Sequence, residues 1–310
     1  MALHTADARS TLPDRTVLYG VEGVGKTSWA AQAPKPIFLC AEDGIRNLDV
    51  KKVLSPTGEP IRLWQDVMGA LEALLTEAHD FQTLVIDTAD WLEPLVKADV
   101  MATYFENSEA KFDAFGRGYN MAMGHWRKLV DALDRLRTDR RMEIILLAHA
   151  QLKSEESPSV GQEVKRFGLK IKGSDKCSPS ALLSEWCDSL LFATFEEMKR
   201  EDDAGKVRGA PTGRRVLKTQ RGMMWSAKTR WKIPAELPLS YEAYSKARGV
   251  LSRLPEYQSK VNVALALLEA HPAVAEMRAE AAKCQNDETK LGALLQELEA
   301  AVSMSTSSPF

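Results

Sequence analysis

The sequence predicts an α/β core, a mainly parallel sheet with helices on both faces, followed by a smaller helical extension. Three observations predict it. Five short apolar runs are near-continuous in Leu, Ile, Val and Phe instead of alternating, the pattern of strands covered on both faces. Longer amphipathic stretches alternate with them, and such alternation lays strands parallel. A glycine-rich turn, GVEGVGKT, joins the first run to the first helical stretch.

Taken in order, the expected strands are Thr16–Tyr19, Pro36–Cys40, Thr83–Asp87, Glu143–Ala148 and Asp188–Phe195. The expected helices between them are Lys26–Gln32, Asp66–His79, Ala89–Tyr104 and Tyr119–Thr138. Two segments break the rhythm. Gln151 to Pro179 is polar and rich in Ser, Lys, Glu and Gly, and reads as a long connection, functional or mobile. Glu201 to Gly213 (EDDAGKVRGAPTG) carries three glycines and a proline and reads as a hairpin loop. After Pro234 the character changes, which divides the chain into a core at 1–235 and an extension at 236–310. Residues 256–302 read as two or three amphipathic helices, with Pro272 suited to a helix start and Asn286 or Asp287 to a cap. The closing SMSTSSPF is expected to be disordered.

Composition narrows the class. With 310 residues, 45% hydrophobic and 27% charged, the chain is an ordinary globular protein. A net charge of -2 argues against a wholly basic nucleic-acid coat while leaving room for a local basic face. Cys40, Cys177, Cys187 and Cys284 show no C-x-x-C spacing, so reduced thiols are expected and a zinc site is not. No apolar leader opens the sequence and no run nears the ~20 apolar residues of a membrane span. A soluble, cytoplasmic protein is the expectation.

Gly20-x-x-x-x-Gly25-Lys26-Thr27 is a complete G-x-x-x-x-G-K-[ST] sequence. The spacing lets backbone N–H groups wrap a phosphate, with glycines permitting the tight path. With glycine near ~7% of residues, a chance match in a chain this long is on the order of one in a hundred. The cradle is Gly20, Val21, Glu22, Gly23, Val24, Gly25, Lys26, Thr27 and Ser28. Lys26 is placed to reach the β- and γ-phosphates of ATP, and the Thr27 hydroxyl to ligate Mg²⁺. Thr83-Leu-Val-Ile-Asp87 ends an apolar strand in a carboxylate, the form of a magnesium-holding Asp at the sheet's carboxyl edge. Asp90 reads as the cap of the helix that follows.

The position after Asp87 is Thr88, so the water-activating base is not there. A Glu at the end of the strand after the phosphate-loop helix is the other common arrangement, and Pro36-Ile-Phe-Leu-Cys-Ala-Glu42-Asp43-Gly supplies it. With GVEGVGKT, LCAEDG and LVIDT in this order, the chain resembles the RecA-like P-loop ATPases. The resemblance implies that Glu42 is the general base, ahead of Asp43. It also implies a γ-phosphate sensor at the end of Ile144-Ile-Leu-Leu-Ala-His149-Ala-Gln151, with His149 and Gln151 both open. Trp225-Ser-Ala-Lys228-Thr-Arg230-Trp-Lys-Ile-Pro resembles the K-x-R strand of DnaB-like proteins, which projects into the neighbouring subunit's nucleotide site. A homo-oligomer, ring or filament, with Lys228 and Arg230 acting in trans follows. Near the loop the sequence offers Lys26 and no second cation from the same chain.

Within that group the chain resembles the phage-encoded Sak-type ATPases, fourth class, of single-strand annealing and recombination. The further stretches that carry this are Phe115-Gly-Arg-Gly-Tyr119, IILLAHAQ, Glu185-Trp-Cys-Asp188-Ser-Leu-Leu-Phe and Lys228-Thr-Arg230-x-x-Ile-Pro, over roughly residues 15–240. The resemblance implies recombination chemistry on single-stranded DNA in a bacterial host and assigns the helical extension no role.

Between Lys199 and Lys232 stand eleven Lys and Arg against three acids, with Trp225 and Trp231 interleaved. Cations for phosphates and aromatic faces for bases suit single-stranded nucleic acid. Arg208, Arg214 and Arg215, with Lys165 and Arg166 from the polar connection, are the DNA-contact candidates. Alternatives are a DnaB-like motor or loader, and a nucleotide-dependent switch that binds a protein partner. The terminal Pro-Phe resembles the tip of single-strand-binding-protein tails without their acidic residues, and raises such a protein as a further partner.

Overall fold

The computed structural model describes residues 12–41, 45, 48–157, 162–172, 178–201, 207–249, 254–269, 271–284 and 288–306. In chain order the first elements are β1 (Arg15–Gly20), α1 (Lys26–Ala30), β2 (Pro36–Cys40), β3 (Lys51–Lys52), α2 (Trp64–Thr76), β4 (Thr83–Asp87) and α3 (Ala89–Tyr104). Then come α4 (Glu109–Asp113), α5 (Arg117–Asp139), β5 (Glu143–Ser157), β6 (Gln162–Leu169), α6 (Pro179–Trp186), β7 (Ser189–Glu201) and β8 (Val207–Lys218). The last are β9 (Lys228–Thr229), β10 (Glu236–Pro238), α7 (Tyr241–Arg248), α8 (Leu254–Leu267), α9 (Val274–Cys284) and α10 (Glu288–Thr306). The chain divides into two compact units, Met1–Tyr244 and Ser245–Phe310. β10 lies past the expected boundary at 235 yet belongs to the first unit, because it pairs with β8.

The sheet order is β10-β8-β7-β1-β5-β4-β2-β3, with β6 added to β5 and β9 to β7. From β7 to β3 every pairing is parallel, while β6, β8, β9 and β10 pair antiparallel. This is the mainly parallel α/β core that the continuous apolar runs predict. Alternation along β1 and β5 divides the core between two faces. Val17, Tyr19, Ile144, Leu146 and Ala148 join one cluster with Leu84 and Ile86 of β4, Leu92 and Val96 of α3, and Trp126, Leu129 and Leu133 of α5. The other face carries Leu18, Val85, Ile145, Leu147 and Leu191, all at 0% exposure. Each such side chain contributes roughly 1.5–3 kcal/mol of burial. On this face α1 lies against β1 and β5, and its Trp29 ring meets Tyr241 at 5.2 Å.

Gln151 to Pro179 is not a loop throughout. β5 runs on to Ser157 and β6 returns beside it, with Gln151 opposite Gly168 and Lys153 opposite Arg166. Polar side chains hid the strand because this hairpin leaves the core, where ladder hydrogen bonds need no apolar face. A second hairpin pairs β7 with β8, and Val207–Gly213 of the expected loop is strand because it pairs along β7. The two hairpins therefore extend from β5 and β7, the two strands that flank β1.

The amino end of β1 is fastened by charge. Arg15 donates from its backbone N and Nε to Asp188 Oδ2 at 3.0 and 3.2 Å, and from Nη2 to Oδ1 at 3.0 Å. Burial alone would raise the Asp188 carboxyl, but these bonds and the Arg15 charge hold it below the ordinary carboxylate value. The EWCDSLLF stretch thus owes its Asp to a structural clamp.

In the second unit α8, α9 and α10 close on Val261, Leu265, Leu268, Leu291, Leu294, Leu295 and Leu298. Helix α10 reaches Thr306, so the start of the tail expected to be disordered is helical. Asn286, Asp287 and the terminal Pro-Phe lie outside the described residues.

Candidate functional site

The site forms where β1 and β4 end, beside His149 within β5. Gly20 closes β1 directly beside His149 on β5 and Ala193 on β7. A Cβ at Gly20 would meet the Ala193 carbonyl oxygen at 2.3 Å, so only glycine lets the strands stay paired as the chain leaves the sheet. Gly23 and Gly25 then turn through φ of 70° and 101°, and α1 starts at Lys26. Lys26 is buried, and its Nζ donates to the carbonyl oxygens of Gly20 and Val21, both at 3.2 Å. The ammonium is folded across the mouth of the loop that it follows.

Thr27 Oγ1 donates to Asp87 Oδ2 at 2.9 Å, although 60 residues separate them. β5 stands between the two strands, so the contact bridges from α1 over β5 to the end of β4. Burial pushes the Asp87 carboxyl up, with the Thr27 hydrogen bond and the Lys26 charge opposing. A hydroxyl and a buried carboxylate oxygen side by side are the hard oxygen donors that Mg²⁺ takes. Two glycines at positive φ, a close-approach glycine, a lysine and this oxygen pair fit a magnesium–nucleoside triphosphate. The Asp87–Thr88 peptide is cis.

His149 is held from α3. Its backbone N donates to Asp90 Oδ1 at 2.9 Å, and its Nδ1 lies 2.8 Å from Asp90 Oδ2. Burial would raise the Asp90 carboxyl, but the His149 ring and backbone outweigh it and lower it. Asp90 is therefore more than the helix cap that the sequence indicates. Thr88 takes the cap position, and Asp90, on the first turn, turns to the strand beside it. Gln151 is exposed two residues further along β5, in the hairpin. Glu42 and Asp43 lie outside the described residues, as does the side chain of Arg208.

Lys228 and Arg230 sit at the other end of the sheet. Lys228 pairs with Leu190, and Arg230 follows a two-residue strand, its N donating to the Asp188 carbonyl at 3.1 Å. Lys228 Nζ donates to the Glu185 carbonyl at 3.1 Å, and Arg230 Nη1 lies 3.4 Å from Asp188 Oδ1 with 63% of its side chain exposed. Val17, three residues before Gly20, is the β1 partner of Leu190, so the pair stands behind its own phosphate loop.

The basic residues of the hairpins divide. Lys165 and Arg166 lie on β6, where Lys165 is exposed and Arg166 Nε donates to the Met223 carbonyl at 3.2 Å. Arg214 is exposed on β8, 3.6 Å from Glu196 Oε1. Arg215 instead places Nη1 beside Gly25 of the phosphate loop. The interleaved Trp225 is not a free platform: its ring stacks on Phe192 at 6.2 Å and 18° and lies under Lys218 Nζ at 4.9 Å. The stacking partner Phe192 comes from a different strand, β7, so spacing did not reveal this packing. An apolar cleft lined by Lys97, Phe112, Tyr119 and Trp126 shares no residue with the phosphate loop. Among the described residues no three His, Cys, Asp or Glu cluster as metal ligands, and no helix is long and apolar enough to cross a membrane.

A family model described as an AAA domain matches residues 13–231. A solved structure, that of the RadB recombinase, is similar at TM-score 0.40 and 13% identity, covering 75% of this chain and 90% of that one. No curated protein matches the chain.

Proposed function

The chain belongs to the AAA-domain family, and from that premise we propose that it is a magnesium-dependent ATPase acting on single-stranded DNA in phage-type recombination and strand annealing, working as a homo-oligomer. The observation that carries the ATPase reading is the 2.9 Å bond from Thr27 to Asp87 at the mouth of a glycine loop. With nucleotide bound, Lys26 would turn from its own loop carbonyls to the β- and γ-phosphates, and Thr27 and Asp87 would hold the magnesium ion. Bound magnesium supplies charge neutralisation between the phosphates. Glu42 accepts the proton of the attacking water. The Asp90 clamp on a residue level with Gly20 favours His149 over Gln151 as the γ-phosphate sensor.

Support for the DNA reading comes from topology. Two hairpins with exposed Lys165 and Arg214 rise from the strands on either side of β1, so a strand bound across them would bear on both walls of the nucleotide site. The side chains of Lys228 and Arg230 meet the Glu185 carbonyl and Asp188 rather than their own loop, which suits a role in a neighbour's site. The test is ATP turnover with and without single-stranded DNA, on wild type and Arg230→Ala. DNA should raise the wild-type rate and Arg230→Ala should lose it. A purified protein that hydrolyses no ATP under either condition overturns the reading.

A further inference from the structure

Arg215 stands against the phosphate loop of its own chain. A Cβ built on Gly25 would lie 2.9 Å from Arg215 Nη1, and 4.0 Å from both its Cζ and Leu239 Cδ2. Gly25 also has φ of 101°, so glycine alone makes this turn and leaves the guanidinium its place. The base of the side chain is fixed. Arg215 lies opposite Phe195 just before a bulge in the β7–β8 ladder, and its carbonyl accepts from Leu239 N at 3.1 Å. Two residues on, Tyr241 N donates to Gln32 Oε1 at 3.2 Å and its ring meets Trp29 of α1. β8, residues 239–241 and α1 thus form one frame around the loop.

Among the described residues the Arg215 guanidinium makes no hydrogen bond or ion pair. Its neighbour Arg214 points to the opposite side of the strand, toward Glu196. Arg215 and Lys26 are therefore two cations brought to one glycine loop, while the Asp87 carboxylate is engaged by Thr27. Like charges gathered in this way are stabilised by an anion between them. Resting on the ATP reading of the same loop, we propose that Arg215 binds the α/β-phosphates of the nucleotide held by its own chain. The loop backbone that includes Gly25 is the part that cradles those phosphates, whereas Lys26 reaches on to the γ-phosphate. Arg215 is thereby a cis cation of the nucleotide site and no part of the DNA surface.

The experiment is an equilibrium titration of the full chain with fluorescent mant-ATP and mant-ADP, in magnesium and without DNA. Charge-assisted bonds to phosphate are among the strong ones, so Arg215→Ala should weaken both nucleotides about tenfold or more. Arg215→Lys, which keeps the charge, should recover part of the loss, and the exposed Arg221→Ala should bind as wild type. Unfolding midpoints equal to wild type exclude a folding defect, and if Arg215→Ala fails this check the Lys variant is read alone. If Arg215→Ala binds within twofold of wild type while Lys26→Ala has lost binding, the proposal falls and the loop reading stands. A loss for ATP with ADP unchanged also overturns it, since the contact would then be to the γ-phosphate. If wild type binds neither nucleotide, the loop reading itself fails.

Discussion

Asp90 holds His149 by two bonds at once, one to the backbone N at 2.9 Å and one to the ring Nδ1 at 2.8 Å. The pair joins the first turn of the helix after Asp87 to the strand residue level with Gly20. It fixes both the height of His149 at the sheet edge and the plane of its ring. The carboxylate is 6% exposed at its side chain and the imidazole 18%, so water does not substitute for either partner.

Asp90→Asn keeps the shape and removes the charge that orders the ring. With His149 as sensor, kcat should fall by about ten- to a hundredfold while mant-ATP affinity changes little, since the group acts on the transition state. His149→Ala should cost no less, and combining the two should add little. Equal losses in affinity and turnover for Asp90→Asn would mark Asp90 as a structural tie only.

Glu42→Gln removes a base and retains the volume. Nucleotide affinity should stay near wild type and turnover should drop roughly 10²-fold or more, the scale of general-base loss. Normal turnover in Glu42→Gln beside a dead Asp43→Asn would shift the assignment by one residue.

Lys165→Ala combined with Arg214→Ala should weaken single-stranded DNA binding alike for all sequences and flatten its dependence on salt, as loss of phosphate contacts requires. Fluorescence anisotropy of a labelled oligonucleotide from low to moderate salt measures this. An annealing protein should also leave forked duplex unopened in the presence of ATP; unwinding would favour the motor reading.

Hydrolysis should depend on assembly. Lys228 and Arg230 stand behind their own loop, so a transition-state cation from them must come from another copy. Fingers supplied in trans contribute about 10³–10⁵ in rate in characterised systems. Specific activity should rise with protein concentration, and mixing Lys26→Ala with Arg230→Ala should restore part of it through interfaces that pair an intact loop with an intact finger. A mixture that stays inactive while both proteins assemble removes the trans role.

The amino-acid order alone determined the parallel core, because strands buried on both faces must be apolar without interruption, and Pro36–Cys40 and Thr83–Asp87 are strands to the residue. It also determined the glycine loop and the carboxylate at the end of β4, since phosphate wrapping needs fixed residue types at fixed spacing. The tertiary structure alone decided what lies around them. Gln151–Ser157 became a strand by pairing with β6, through backbone bonds that leave no mark in side-chain hydrophobicity. Asp90 turned from helix cap to partner of a histidine 59 residues away. Arg214 and Arg215, equal in sequence and both counted as basic surface, were sent to opposite sides of β8 by the alternation of a strand whose existence depends on its neighbours. Contacts of this kind are made by parts of the chain far apart in order, and only the packing of the sheet and α1 brings them together.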